Sequence, residues 1–593
     1  MGILSSGSGG RDDEPGGLPA SLQKEGRART DWIVYGLTAG LSTAFVIWGA
    51  VWTDNLSSTA QSVLDWLLAN VGWLFVLAAT GFVIFSLWLA LSRYGKIPLG
   101  REDEEPEFRT ISWIAMMFSA GMGIGLMFFG VAEPLTHYVE PPPGTDPSQS
   151  EPAIETAMAT TMFHWTLHPW SIYAVLGLAI GYGHYRRGRN QLISSAFIPL
   201  IGRRRGGPDP GLGPGPDSGA ELRRGGGSQA GLGPVSKLID ILALFATLFG
   251  SAASLGIGAL QIRTGMQEAG WIDTLGTTVL VLIIVVLTVC FILSAVSGIA
   301  RGIQWLSNIN MVLAAVLAFF VFVVGPTVFV LELLPTSIGV YIRDFGEMAS
   351  RSGATGGEPM RDYLADWTIF YWAWWISWAP FVGMFLARIS RGRTIRQFVA
   401  GVILVPSAVS LVWFAIFGGT AIHQQRDGRN PYGDGSEEQI TFNVLGNLPW
   451  DLLTAIVVMV LVAIFFVSGA DAASIVMGTL SQRGSTSPAR WVVIFWGAMT
   501  GGVAAVMLVI GGDKALNGIQ NITFIGALPF AIVLILLCVS LAKDVRDDPM
   551  MRRQSKGAEV LEDAVVSGSR RHEGDFELVT QPSPDDDAPP PVR

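Results

Sequence analysis

The chain has 593 residues; half are hydrophobic, 15% are charged, the formal net charge is −9 and the mean hydropathy is +0.44. A soluble protein of this size would carry about 25% charged residues, so the composition excludes one and reads as a polytopic α-helical membrane protein. The two cysteines, Cys290 and Cys538, lie in apolar runs and exclude a disulfide framework or a cysteine metal site; no nucleic-acid partner is expected.

Residues 1–31 are polar and Gly-rich, which argues against a cleaved signal peptide and predicts a disordered cytoplasmic tail. Twelve apolar runs follow, each long enough to cross roughly 30 Å of hydrocarbon. They are Trp32–Trp52, Trp66–Ser92, Thr110–Leu135, Thr160–Tyr182, Leu238–Ile262, Thr274–Gly298, Ser307–Leu331, Trp367–Ala387, Phe398–Ala421, Leu452–Gly478, Trp491–Ile510 and Ile522–Ala542. Arg93, Lys96, Arg101 and Arg109 follow the second span, Arg186, Arg187, Arg189 and Arg203 to Arg205 the fourth, and Arg388, Arg391, Arg393 and Arg396 the eighth. The stretches 53–65 and 136–159 have no basic residue, so the positive-inside rule predicts that both termini are cytoplasmic.

The chain divides accordingly. Residues 32–109 hold two peripheral helices, 110–331 and 367–543 hold five spans each, and 544–593 form a second polar tail, predicted to be disordered. A Gly/Pro-rich insertion at about 203–234 interrupts the first group of five, and its composition cannot bury a core. Within the external loop 332–366, Ile338, Tyr341, Ile342, Phe345 and Met348 mark one apolar face of an amphipathic helix over Pro335 to Arg351, predicted to lie on the bundle or a neighbouring subunit.

Two spans contain helix breakers. The third carries Gly121, Gly123 and Gly125, then Gly130 and Glu133-Pro134; the eighth carries Pro380 and Gly383. Glycines in such helices also serve close packing. A pair of broken spans five apart, however, is the signature of an inverted-repeat transporter whose site lies where the backbone is freed. Glu133 is expected to cap that freed backbone.

The chemistry rests on aromatic rings. The fourth span holds Trp165, Trp170 and Tyr173, and the eighth packs Trp372, Trp374, Trp375 and Trp378 into one apolar run. At about 100° per residue, Trp165 and Trp170 lie roughly 140° apart with Tyr173 between them, and a kink at Pro169 would close the arc. With a tryptophan from the eighth span they would box a soft cation, each ring face contributing up to about 2 kcal/mol once desolvated. A quaternary ammonium suits such a box because its burial leaves no hydrogen bond unmade. His164 and His168 read as satisfied core groups. Asp471, a carboxylate inside a span, reads as a structural or gating group.

The stretches GMGIGLMFFGVAEPLTHY, TTMFHWTLHPWSIYAVLGLAIGY, LIDILALFATLFGSAASLGIGALQI and FYWAWWISWAPFVGMFLARISRGRTIRQF resemble the betaine/carnitine/choline transporter family over roughly Trp32 to Lys543, and most closely its sodium-coupled glycine betaine carriers. The resemblance implies a homotrimer in the bacterial inner (cytoplasmic) membrane, with a 5+5 inverted-repeat, LeuT-like core of the kind found in sodium symporters. It implies a trimethylammonium box of Trp165, Trp170, Tyr173 and Trp375, with Trp374, Trp378 and Ser254 along the substrate path. It also implies that the run Gly121, Gly123, Gly125 sets specificity: proton-coupled choline carriers have aspartate where this chain has Gly125.

No cofactor is implied beyond sodium as the coupling ion. One sodium site resembles Thr247 and Ser251 with Phe381. The second resembles Ser119, Met122, Phe465 and Ser468, with Gly469 standing where relatives carry a further hydroxyl; a hard cation wants about six oxygens, so water would complete it. The implied function is sodium-driven import of glycine betaine or a related methylated osmolyte, for osmoprotection. The net-acidic tail, repelled by an anionic leaflet, predicts weaker osmotic activation than in relatives with basic tails. The nearest alternative is a proton-coupled or exchanging carrier of choline, carnitine or ectoine. An enzyme is not expected, since the sequence has no HExxH and no Walker-type phosphate loop.

Overall fold

A computed structural model describes residues 29–121, 123–201, 233–272, 276–297, 300–511, 515–572 and 577. The predicted tail 1–28 and almost all of the predicted insertion lie outside the described residues. Among those described there is no β-strand, only an isolated bridge between Pro98 and Thr394.

Helix α1 (Trp32–Val51) starts at Asp31, whose carboxylate accepts from the N–H groups of Ile33 and Val34 as an N-cap does. Helix α2 (Thr53–Leu91) begins well before the predicted span, because the polar residues 53–65 continue the helix beyond the apolar run.

The third and fourth predicted spans are each in two pieces. Helices α3 (Thr110–Gly121) and α4 (Ile124–Val139) part around Gly123, whose backbone is fully extended. Helices α5 (Glu151–Trp165) and α6 (Leu167–Gly181) part at Thr166 (φ −115°, ψ −100°). The break therefore falls at Thr166 rather than at the expected Pro169. Pro169 sits in the first turn of α6, where N–H groups have no intrahelical partner and a missing one costs nothing.

A short α7 (Ile198–Ile201) precedes α8 (Gly233–Glu268), α9 (Thr277–Ser297) and α10 (Ala300–Val324). Helix α11 (Thr327–Ser350) turns away from α10 by 108°. It includes the predicted amphipathic segment but starts earlier and runs through Pro335. Tyr341 and Met348 are buried, and Phe345 lies 5.8 Å from Phe163 of α5, so most of the face covers the bundle; Ile342 is 71% exposed.

Next come α12 (Gly353–Tyr363), a π-turn over Leu364–Ile369, and α13 (Phe370–Ile389). The break expected at Pro380 and Gly383 is absent, for α13 runs unbroken through both. A Cβ on Gly383 would meet Leu176 at 2.9 Å and the backbone of Gly177 at 3.1 Å. Gly383 thus lets α13 press against α6, the packing use of glycine rather than the hinge use. Helices α14 (Ile395–Arg426), α15 (Glu437–Gly446), α16 (Asp451–Ser481), α17 (Arg490–Gly511), α18 (Ala515–Arg546) and α19 (Pro549–His572) complete the chain. Helix α19 lies within the second polar tail, 544–593.

Nine helices among the described residues are long and apolar enough to cross a membrane, or ten if the bent pair α10–α11 counts as one span. Helix α13 lies against α6 and α8 at the centre of the bundle.

One end of the bundle gathers the arginine-rich turns. Arg186 donates to Asp548 through Nε (3.0 Å) and Nη2 (2.9 Å), and Tyr182 donates its hydroxyl to the same carboxylate at 2.8 Å. Arg189 pairs with Asp544, and Arg391 with Glu104 at 2.6 Å. The turn after α6 is thereby tied to the end of α18. Burial would push the Asp548 carboxyl up, but the hydrogen bonds and charge of Arg186, with the Tyr182 hydroxyl, hold it below the usual carboxylate range.

A carboxyl depressed in the folded state stabilises above its unfolded pKa, near 3.9, and loses that contribution as pH falls through the folded value. Asp548→Asn removes the charge from two of the hydrogen bonds of Arg186, which keeps Glu102 and the Gly100 carbonyl, a loss of about 1–3 kcal/mol. In thermal unfolding of detergent-solubilised protein, the variant will melt well below the wild type at pH 7. The gap will close as pH falls below about 4.

Candidate functional site

Residues three and four apart on a helix share a side, which places Tyr371 beside both Trp374 and Trp375, and Trp378 beside both of these in turn. Trp374 and Trp375 stack with centroids 4.7 Å apart and planes 13° apart, and Tyr371 lies parallel to Trp375 at 5.8 Å. Trp165, at the end of α5, stands edge-on to this stack, 4.9 Å from Trp375 at 73° and 6.2 Å from Trp374 at 86°. Trp170 and Tyr173 of α6 meet each other at 5.4 Å. All six of the sequence-predicted rings, Trp165, Trp170, Tyr173, Trp374, Trp375 and Trp378, line one cavity.

The indole N–H groups point into the protein. Trp375 Nε1 donates to the carbonyl of His164 (3.0 Å), Trp378 Nε1 to that of Gly250 (2.9 Å), Trp374 Nε1 to Ser254 Oγ (3.0 Å) and Trp165 Nε1 to Glu133 (2.6 Å). The break at Thr166 supplies the first of these acceptors, because the last carbonyls of a helix lack intrahelical partners. With these donors satisfied, burying the rings leaves none of these N–H groups unpaired. The cavity lining includes no charged side chain among the described residues, so a guest cation meets ring quadrupoles and dipoles alone.

Glycines make room. A Cβ on Gly125 would stand 2.5 Å from the Trp374 ring and 3.0 Å from that of Trp165, so both rings need glycine there. Gly123 also lines the cavity, and Gly121 ends α3. Ser254 sits behind Trp374 and, apart from receiving its N–H, donates to the carbonyl of Gly250 at 3.4 Å.

The residues expected to hold sodium are placed less completely. Thr247 and Ser251 are buried one turn apart on α8, on either side of Gly250 in sequence; the Thr247 hydroxyl donates to the carbonyl of Ala243 at 2.8 Å. Phe381 lies beyond Trp378 on α13, its ring 5.8 Å away. For the second group, Met122 and the side chain of Ser119 lie outside the described residues. Phe465 is half-buried, and the Ser468 hydroxyl donates into its own helix, to Ile464 (2.8 Å) and Phe465 (3.3 Å). A Cβ on Gly469 would meet nothing within 4 Å. Asp471 is half-buried and outside the cavity lining.

Residues outside the predicted box also shape the site. Glu133 does not cap backbone as expected; it accepts from the side chains of Trp165, Tyr371 (2.6 Å) and His164 (2.7 Å). His164 reaches Thr368 Oγ1 at 3.0 Å through its other nitrogen, and His168 Nδ1 lies 3.2 Å from the Phe163 carbonyl, so both are satisfied core groups. Ser410 of α14 joins the lining, and Phe414 packs 5.4 Å from Trp165. A hydroxyl within an apolar span was the one sequence signal for Ser410.

Residues 33–213 and 227–550 match the family described as BCCT, betaine/carnitine/choline family transporter. The chain is 42% identical to the betaine/ectoine transporter LcoP of Corynebacterium glutamicum, over 96% of this chain and 87% of that protein. It is also 42% identical to the glycine betaine transporter OpuD of Bacillus subtilis, over 90% of this chain and 96% of the relative. Glycine betaine transporter 1 of Vibrio parahaemolyticus is 36% identical over 87% and 94% respectively. Family and relatives are transporters, not enzymes.

Glu133 receives three buried donors, each costing about 1–3 kcal/mol if left unmade. Glu133→Ala will lower the midpoint of thermal unfolding substantially, and Glu133→Gln, which keeps an acceptor, will lower it less. Tryptophan fluorescence will separate the two by the environment of Trp165.

Proposed function

The chain belongs to the betaine/carnitine/choline transporter family, and on that premise we propose that it is a sodium-coupled symporter importing glycine betaine or a related quaternary-ammonium osmolyte, for protection under hyperosmotic stress. The observation that carries this reading is the uncharged cavity lined by six aromatic rings, four of whose indole N–H groups are taken up by protein acceptors. A trimethylammonium group cannot donate hydrogen bonds, so this lining leaves none unmade, and rings on several sides add their attractions. The betaine and ectoine named for the relatives make both compounds the first to test.

In this reading α3–α4 and α5–α6 are broken spans, which with the ten candidates above completes twelve. The two groups of five form a LeuT-like inverted repeat that rocks to alternate access around the cavity. The arginine-rich end faces the cytoplasm of a bacterial cell, with both termini there, and the protein works as a homotrimer in the inner membrane. One sodium ion binds by Thr247, Ser251 and Phe381, next to the Gly250 carbonyl that holds Trp378. The second uses Ser119, Met122, Phe465 and Ser468, with water in the space that Gly469 leaves.

Radiolabelled uptake into proteoliposomes tests this. Glycine betaine uptake will require sodium and will fail in potassium alone. Trp165→Leu, Trp170→Leu and Trp375→Leu will each raise KM up to about 30-fold, the equivalent of one ring face at about 2 kcal/mol. Two ions per neutral betaine couple about 4.6 kcal/mol per 100 mV, so a reversal potential corresponding to one charge per betaine would reject the second sodium. Uptake independent of sodium, or affinities unchanged in all three variants, would reject the reading.

A further inference from the structure

Behind Trp165 lies a cluster that the transport reading leaves without a task. Glu133 and His137 stand one turn apart on α4, and His164 reaches them from the end of α5; all are fully buried. Glu133 Oε1 is 2.7 Å from His164 Nδ1 and 3.5 Å from His137 Nε2, and the three ligand atoms lie within 4.8 Å of one another. His137 makes no hydrogen bond through either ring nitrogen among the described residues. It is held by ring packing, 4.6 Å from Trp367 and 5.7 Å from Tyr363. An imidazole sealed from water with no hydrogen bond, and with one carboxylate oxygen at 3.5 Å beside it, is costly unless something occupies a nitrogen.

We propose that Glu133, His137 and His164 form a binding site for one divalent transition-metal ion of the Zn²⁺ class. Two imidazoles and a carboxylate suit such an ion, and bonds of about 2.0–2.2 Å in tetrahedral array set donors roughly 3.4 Å apart. The observed 2.7 and 3.5 Å straddle that separation, so small side-chain rotations complete the site. The outer contacts already fix two ligands as metal sites require. Thr368 Oγ1 sits 3.0 Å from His164 Nε2, and Trp165 and Tyr371 hold Glu133 by Oε2, so the ion would take the place of the 2.7 Å contact between His164 Nδ1 and Glu133 Oε1. Sodium, magnesium and calcium want about six or more oxygens, and this cluster offers a single carboxylate. A proton shared between Glu133 and His164 would fit that pair but leave His137 as it is.

The ion also has a route to the cavity. Glu133 carries the Trp165 indole on its other oxygen, so an ion that draws the carboxylate toward the histidines shifts one wall of the box. Binding at the two places is then linked, and the linkage is reciprocal. This coupling rests on the osmolyte reading above; the metal site does not.

The test uses full-length purified protein with a tag free of histidine, titrated with Co²⁺ as a spectroscopic stand-in and then with Zn²⁺. The wild type will bind one Co²⁺ per chain with the intense visible absorption of tetrahedral coordination, and Zn²⁺ will displace it. His137→Phe keeps a ring against Trp367 and His137→Gln keeps a polar side chain; each will lose at least tenfold in affinity, with thermal unfolding confirming that both are folded. No binding by the wild type, or weak octahedral absorption that survives in both variants and so reports surface histidines such as His184 and His423, would overturn the proposal. So would a pH-dependent change of uptake in His137→Phe that metal chelation leaves unaltered in the wild type, since a proton would then be the occupant. Tetrahedral Co²⁺ binding in a protein that takes up no osmolyte would uphold the metal site and remove only the coupling.

Discussion

The structure turns on where the indole N–H groups go. Each tryptophan that a cation could face must lie buried, and a buried donor left unpaired costs several kcal/mol. Trp165, Trp374, Trp375 and Trp378 avoid that cost by donating to a carboxylate, a hydroxyl and two backbone carbonyls. The broken helix and the aromatic cluster are therefore one construction. Ending α5 at Trp165 frees the carbonyl of His164, and that carbonyl anchors Trp375 from across the bundle.

The same logic explains why the cavity can lack charge. A carboxylate in the lining would bind any small cation, whereas ring faces favour one that is large, weakly hydrated and without N–H groups. The buried carboxylate, Glu133, stands one layer back, holding Trp165 rather than meeting the guest. Accepting that N–H, it also makes the indole more electron-rich, which strengthens the face turned to the cavity. Gly125 keeps the two ring edges close enough to act together.

Around this centre the bundle is braced by contacts distant in sequence. The turn after α6 is clamped to the end of α18 and the residues just after it by Arg189 with Asp544 and Arg186 with Asp548, and the loop after α13 is tied by Arg391 to Glu104 ahead of α3. The elements that carry the rings are thus joined at one end by charge pairs. At the centre, Gly177 and Gly383 allow α6 and α13 to cross in close contact.

Much of this was legible in the residues themselves. The apolar runs, the charge asymmetry of the turns and the density of rings in two segments pointed to a membrane protein with an aromatic box of Trp165, Trp170 and Tyr173, because hydrophobic length and ring chemistry are properties of local sequence; the family resemblance implied Trp374, Trp375 and Trp378. Position was not. A proline can break a helix or sit harmlessly in its first turn, so the break fell at Thr166 instead of Pro169, and α13 ran straight through Pro380. Glu133 read as a backbone cap until folding brought Trp165, Tyr371 and His164 to it from two other helices. A side chain's chemistry is fixed by its identity, but its partners are set by which helices meet. That meeting depends on contacts hundreds of residues apart, which no local pattern encodes.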